Sequence, residues 1–123
     1  MARTTGGADF ARRLQPRHKV WLNWGGAFLM GPRYEQFLRA VERTGTIREA
    51  GRAVGWSYRT CLNRIRQMEA VLGAPVLQTT RGGAAHGGAR LTPLARRLLG
   101  VFDTWRGAMR ARSDAEFRRA LRG

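Results

Sequence analysis

The stretch from Thr46 to Gly73 constrains the fold of this chain more than any other, because it punctuates itself twice at helical spacing. Thr46-Ile47-Arg48-Glu49 has the capping-box order, in which the threonine hydroxyl accepts from an orphan amide and the glutamate reaches back to the cap. Ile47, Ala50 and Val54 then mark the inward side of a short helix that Gly55 ends. Only Trp56 separates that stop from Ser57, a second N-cap. It opens a helix to about Leu72, with Gly73 just beyond and Pro75 soon after.

On this later helix, a rotation of about 100° per residue gathers Tyr58, Cys61, Leu62, Ile65, Met68 and Leu72 into one arc. Arg59, Thr60, Asn63, Arg64, Arg66 and Gln67 occupy the other side. One face is core and the other is free. Upstream, Pro32 suits the first turn of a helix in which Tyr34, Phe37, Leu38 and Val41 follow at i, i+3, i+4 and i+7 until Gly45. Ahead of it, two apolar runs between His18 and Leu29 flank Gly25-Gly26, the pattern of a β-hairpin.

Downstream, Val76 to Thr80 and Ala89 to Thr92 read as two short strands flanking a glycine-rich tip. Thr92 and Pro93 cap a long last helix whose broad apolar stripe is Leu94, Ala95, Leu98, Leu99, Phe102, Trp105 and Met109. Ser113 to Glu116 repeats the capping-box order and predicts a separate terminal helical segment with Phe117, Ala120 and Leu121.

Three helices, the second and third joined by a tight turn, followed by a two-stranded hairpin, compose a winged helix-turn-helix. The expected fold is mainly α with small β, carrying an N-terminal β-hairpin and a long C-terminal dimerisation helix. Residues 1–16 read as a flexible basic tail, 17–92 as the winged helix-turn-helix domain, and 93–123 as the dimerisation helix and terminal helical segment.

The charge says what such a body would meet. Twenty-three Lys and Arg against 8 acids leave +15 on 123 residues, 43% of them hydrophobic. That is enough apolar material for a core, so the charge sits on a folded object whose partner is a polyanion. One cysteine closes no intrachain disulfide and suits a reducing cytoplasm; a nucleoid location follows from the charge. Val20 to Met30 is broken by Asn23, Gly25 and Gly26 and falls short of the roughly 20 apolar residues that span a bilayer, so no membrane partner is expected.

Arg59, Thr60, Asn63, Arg64 and Gln67, with Ser57 and Tyr58 at the helix start, are what a reader of the major groove would present. Arginine pairs with guanine acceptors, Asn or Gln with adenine, Thr with phosphate or a thymine methyl. A solvated helix face is the plain alternative, and Arg66, at the edge of the arc, fits it equally well. At the tip, Arg81, Gly82, Gly83, His86 and Arg90 could lie along backbone or minor groove, because glycine lets the chain approach phosphates closely. Thr46 and Arg48 at the start of the second helix are placed for a backbone contact.

Little else carries chemistry. His86 lacks neighbours at ligand spacing, so no metal and no cofactor are assigned. Cys61 falls in the buried arc and reads as a small apolar residue. Glu35, Glu42, Glu49 and Glu69 are scattered among arginines, where surface pairing fits better than acid–base work, and no enzyme is expected. Trp21, Trp24 and Trp105 are assigned to the core or to a subunit contact, and the ring of Tyr58 to the inward side.

The TGTI opening of the second helix, the SYR opening of the third, and the GG…GG tract followed by LTP together resemble the N-terminal DNA-binding domain of the molybdate-responsive repressors of the ModE family, within the wider LysR-type group. The resemblance covers roughly residues 18–110. It implies a homodimer on double-stranded DNA, with the helix from Ser57 in the major groove and the wing on the backbone. The long helix, through Leu98, Leu99, Phe102, Trp105 and Met109, would supply the two-fold contact. Family members with full regulatory ability carry a C-terminal molybdate-binding module, whose ligand residues have no counterpart in this sequence, so direct molybdate binding is not expected. The wing reads GGAAHGG where the family tends to a continuous glycine run.

The leading expectation is a sequence-specific transcription regulator. The alternative is a nucleoid-associated or architectural protein that uses the same charge with little base discrimination.

Overall fold

The computed structural model describes residues 6–80 and 87–123. Its elements run α1 (Gly7–Arg13), β1 (Leu22–Trp24), β2 (Ala27–Met30), α2 (Pro32–Thr44), α3 (Ile47–Val54), α4 (Tyr58–Leu72), β3 (Leu77–Thr80), β4 (Gly88–Leu91) and α5 (Pro93–Arg122). The winged helix-turn-helix that the spacing predicts is therefore present, with a hairpin ahead of it and a long helix behind.

The helix boundaries obey their caps. Thr46 accepts from the Glu49 amide, Ser57 from Thr60 and Thr92 from Ala95, each hydroxyl satisfying a donor that the first turn leaves orphaned. Between α3 and α4 the turn needs Gly55, whose φ of 75° lies in the left-handed region. The β1–β2 hairpin closes through Gly25 and Gly26, at φ 55° and 89°, the two positive values that a two-residue loop matching strand twist requires.

One core holds the elements together. α2 gives Phe37, Leu38 and Val41; α3 Ala50 and Val54; α4 Cys61, Ile65 and Met68; and α5 Ala95, Leu99 and Phe102. Leu29 and Met30 of β2 seal it on the side of α4, while Val76, Leu77, Ala89 and Leu91 carry it into the base of the wing. The wing is also tied by backbone: Ala89 N–H donates to Gly45 O at 2.7 Å, and Val76 N–H to the Glu69 carboxylate at 2.8 Å.

Several expectations need correction. The tail is not without structure: α1 forms there, with Asp9 in its first turn paired to Arg12 at 2.6 Å and Arg13 at 3.2 Å. It buries no residue, which is why the sequence shows no apolar period. The second capping-box pattern starts nothing, because α5 runs unbroken through Ser113. Ala111 and Arg112 ahead of it are good helix formers, and Glu116 pairs instead with Arg119.

In the first box only the threonine half forms. Glu49 lies 3.6 Å from Arg52, and the Thr46 amide donates to Thr44 Oγ1 at 3.5 Å. Glu35 is no surface residue but 3% exposed, and Glu69 serves the wing backbone. Trp21 and Trp24 stay out of the core at 52% and 47% exposure, since the hairpin turns Leu29 and Met30 inward instead. Among the described residues, no helix is long and apolar enough to cross a membrane.

Candidate nucleic-acid interface

The α4 helix presents its two faces much as its sequence divides them. Cys61, Ile65 and Met68 point into the core, while Arg59, Asn63, Arg66 and Gln67 are exposed. Its approach to α3 depends on Gly51: a Cβ there would lie 2.5 Å from Cys61 Sγ and 2.9 Å from the Trp56 carbonyl oxygen. No larger residue lets the two helices meet so closely. Arg33 of α2 fixes the same junction by donating to the Val54 carbonyl at 2.6 Å. Burial pushes the Cys61 thiol above its ordinary pKa, a backbone hydrogen bond opposing in part, so the thiol stays neutral in the core.

At the start of α4, Ser57 and Thr60 occupy each other. The Thr60 amide donates to Ser57 Oγ at 3.1 Å, and the Ser57 hydroxyl donates to Thr60 Oγ1 at 3.0 Å. Both are therefore cap residues first, with lone pairs left for a further donor. Tyr58 departs from its predicted inward position. It is 42% exposed, and the Arg48 guanidinium lies over its ring at 4.5 Å from the centroid. That stacking holds a cation at the joint between α3 and α4.

Thr46, Arg48 and Tyr58 line one wall of a cleft of about 590 Å³, and Thr79, Thr80 and Gly88 of the wing line the other. This cleft brings the start of α3, the start of α4 and the outer part of the wing strands to one side of the molecule. Arg90 on β4 is exposed. Arg81, Gly82, Gly83 and His86 lie outside the described residues.

Arg64 is a second residue that the helical arc misplaced. It is half-buried, with its guanidinium 6.0 Å from the Tyr34 ring centroid and 5.9 Å from that of Trp56. The wing-side threonines and this aromatic pair went unread in the sequence, because each meets α4 only through the tertiary fold.

The stripe on α5 splits in two. Leu99 and Phe102 are buried in this chain's own core and cannot also face a partner, which corrects their assignment to a two-fold contact. Leu98 and Trp105 are half-buried against that core, while Gly100, Val101, Thr104 and, further along the helix, Met109 are exposed. Among the described residues, no group of three or more His, Cys, Asp or Glu is placed to hold a metal ion.

The chain is similar in sequence to several known proteins. Molybdenum-pterin-binding protein MopB of Rhodobacter capsulatus is 40% identical over 73 residues, 59% of this chain and 27% of that protein. Molybdenum transport protein ModE of Herbaspirillum seropedicae is 33% identical over 78 residues, 63% of this chain and 28% of its own length. Transcriptional regulator ModE of Haemophilus influenzae is 29% identical over 77 residues, 63% of this chain and 30% of its own. The chain thus spans less than a third of the length of these relatives. The family described as bacterial regulatory helix-turn-helix protein, lysR family, matches residues 34–96, from the first turn of α2 through the wing to the start of α5. By that match, over helices and wing alike, the chain belongs to the lysR family of bacterial regulatory helix-turn-helix proteins.

Proposed function

We propose that this chain is a homodimeric, sequence-specific regulator of transcription that acts on double-stranded DNA in the cytoplasm. Residues 17–92 form its DNA-binding unit, and residues 93–123 its dimerisation helix. The observation that carries this reading is the free polar face of α4, with Arg59, Asn63 and Gln67 exposed beside the cleft that α3 and the wing complete. A groove about 12 Å wide admits such a helix, whose Arg, Asn and Gln side chains match base-edge donors and acceptors. Arg48 in the cleft and the exposed Arg90 on the wing suit phosphates, which position the protein without reading sequence. A dimer would read two half-sites about 34 Å apart.

The reading carries over the transcriptional regulation in the name of the Haemophilus influenzae relative, and neither the molybdenum-pterin binding nor the molybdenum transport in the names of the other two.

Selection from random duplex DNA, followed by binding measurements at several salt concentrations, tests it. The expected result is a two-fold symmetric motif and a logarithmic affinity that falls by roughly 0.9 for every phosphate neutralised. Asn63→Ala should then weaken binding at one base pair per half-site. If no motif emerges and Asn63→Ala weakens all duplexes equally, the charge of +15 serves an architectural protein of low specificity instead.

A further inference from the structure

Arg64 stands three residues after Cys61 and four before Met68, both buried, so it lies on the flank of α4 between the core and the free face. Its Nε is the one buried side-chain nitrogen or oxygen among the described residues that lacks a hydrogen-bond partner. The other end of the same guanidinium is drawn toward the free face, where Nη1 donates to Gln67 Oε1 at 3.4 Å. Beneath it lie Tyr34 and Trp56, packed edge to face with centroids 5.5 Å apart, and Phe28 of the hairpin extends the aromatic row from Tyr34 at 5.4 Å.

A leucine or methionine would fill that space without stranding a polar atom. What arginine adds is a fixed positive charge with a planar face that aromatic rings can hold in place. A helix seated in the major groove turns its central stripe to the base edges and its flanks to the two sugar–phosphate rims. On the wing side of α4 lie Arg48 and Tyr58, which line the cleft. Arg64 lies on the opposite side.

We propose that Arg64 contacts a backbone phosphate rather than a base, and that Tyr34 and Trp56 are positioning residues that hold its guanidinium toward that phosphate. This rests on the DNA-binding reading above.

The test compares the full chain with Arg64→Gln, Tyr34→Leu and the double variant, each confirmed folded by its thermal melt. Binding is measured on the selected duplex and on a scrambled duplex across a salt series. Arg64→Gln is expected to weaken both duplexes by the same factor and to reduce the salt slope by about 0.9, the share of one phosphate. Tyr34→Leu is expected to weaken binding in the parent and to have no further effect in the Arg64→Gln background. An unchanged slope, or a loss confined to the selected duplex, overturns the phosphate contact. Equal effects of Tyr34→Leu in both backgrounds overturn the positioning role. Absence of salt-dependent DNA binding by the unmutated chain overturns the underlying reading itself, a result distinct from the other two.

Discussion

Glu35 and Arg106, 71 residues apart in sequence, meet at 2.5 Å and tie the first turn of α2 to the middle of α5. The second oxygen of the buried carboxylate accepts from Arg39 Nε at 3.2 Å, and Arg39 continues to Asp103 at 3.0 Å. The hydrogen bond to Glu35 is the main cause that raises the Arg39 pKa, burial opposing it and Asp103 assisting. A charge in this position is tolerated only through its partners.

Removing either partner should therefore have unequal effects. Arg106→Met strips the buried carboxylate of its closest cation and should destabilise the fold by about 3 kcal/mol, the low end for a broken buried pair. Glu35→Gln should cost only about 1 kcal/mol, because Arg39 and Arg106 both reach water once the carboxylate is gone. Urea unfolding at constant m-value ranks the two, and the reverse order would show that the arginines, not the glutamate, are the desolvated partners.

Gly51 sets how closely α3 and α4 can approach. Gly51→Ala should destabilise by about 1–3 kcal/mol, as overpacking does elsewhere, although alanine favours the helix itself. Cys61→Ala in the same chain removes the atom 2.5 Å from the new methyl and should recover part of the loss, leaving the Trp56 carbonyl at 2.9 Å. A double-mutant cycle by thermal melting measures the recovery. Strict additivity would mean that the helices had already separated.

The thiol of Cys61 gives a pH dependence with a definite sign. Burial raises its pKa in the folded chain, so the unfolded thiol ionises first as pH rises. Its contribution to stability is complete below the unfolded value of about 8.5 and is lost as pH climbs through the higher folded value. Between the unfolded and the folded value, stability of the parent should fall more steeply with pH than stability of Cys61→Ala. Iodoacetamide at pH 8 should label the thiol in urea and spare it in buffer.

Much of this was readable in sequence, because caps and glycine stops are local signals. Thr46, Ser57, Thr92, Gly55 and Gly73 mark helix ends through contacts within four residues, and the three hydroxyl caps form as written. The readings that failed depend on distant partners. The helical arc put Tyr58 inward, but Arg48 from the preceding helix holds its ring at the surface. It put Arg64 outward, where two aromatics from α2 and the turn draw it back. Glu35 looked like one more surface acid until α5 returned Arg106 to it. Periodicity reports which face of a helix is apolar, not which neighbour arrives to cover it, and the stripe on α5 is the clearest instance.

That stripe yields the last prediction, since its members divide into two experimental classes. Leu99 and Phe102 are buried within one chain, so Phe102→Ala should cost about 3–5 kcal/mol of folding stability whatever the oligomeric state. Val101 is exposed one residue earlier, beside a shallow hollow formed with Arg97, Gly100, Thr104 and Trp105. A glutamate there changes a surface position and should leave the thermal melt of an isolated chain within about 0.5 kcal/mol of the parent. If the proposed dimer closes through this face, Val101→Glu must instead show itself in sedimentation, as a shift from dimer to monomer at micromolar concentration. Across a two-fold axis each copy would bring its glutamate against the like charge of the other and out of water, a cost that Arg97 four residues earlier offsets only in part. A dimer that survives Val101→Glu unchanged would move the contact off this side of α5 and leave the exposed hairpin tryptophans as the next surface to test.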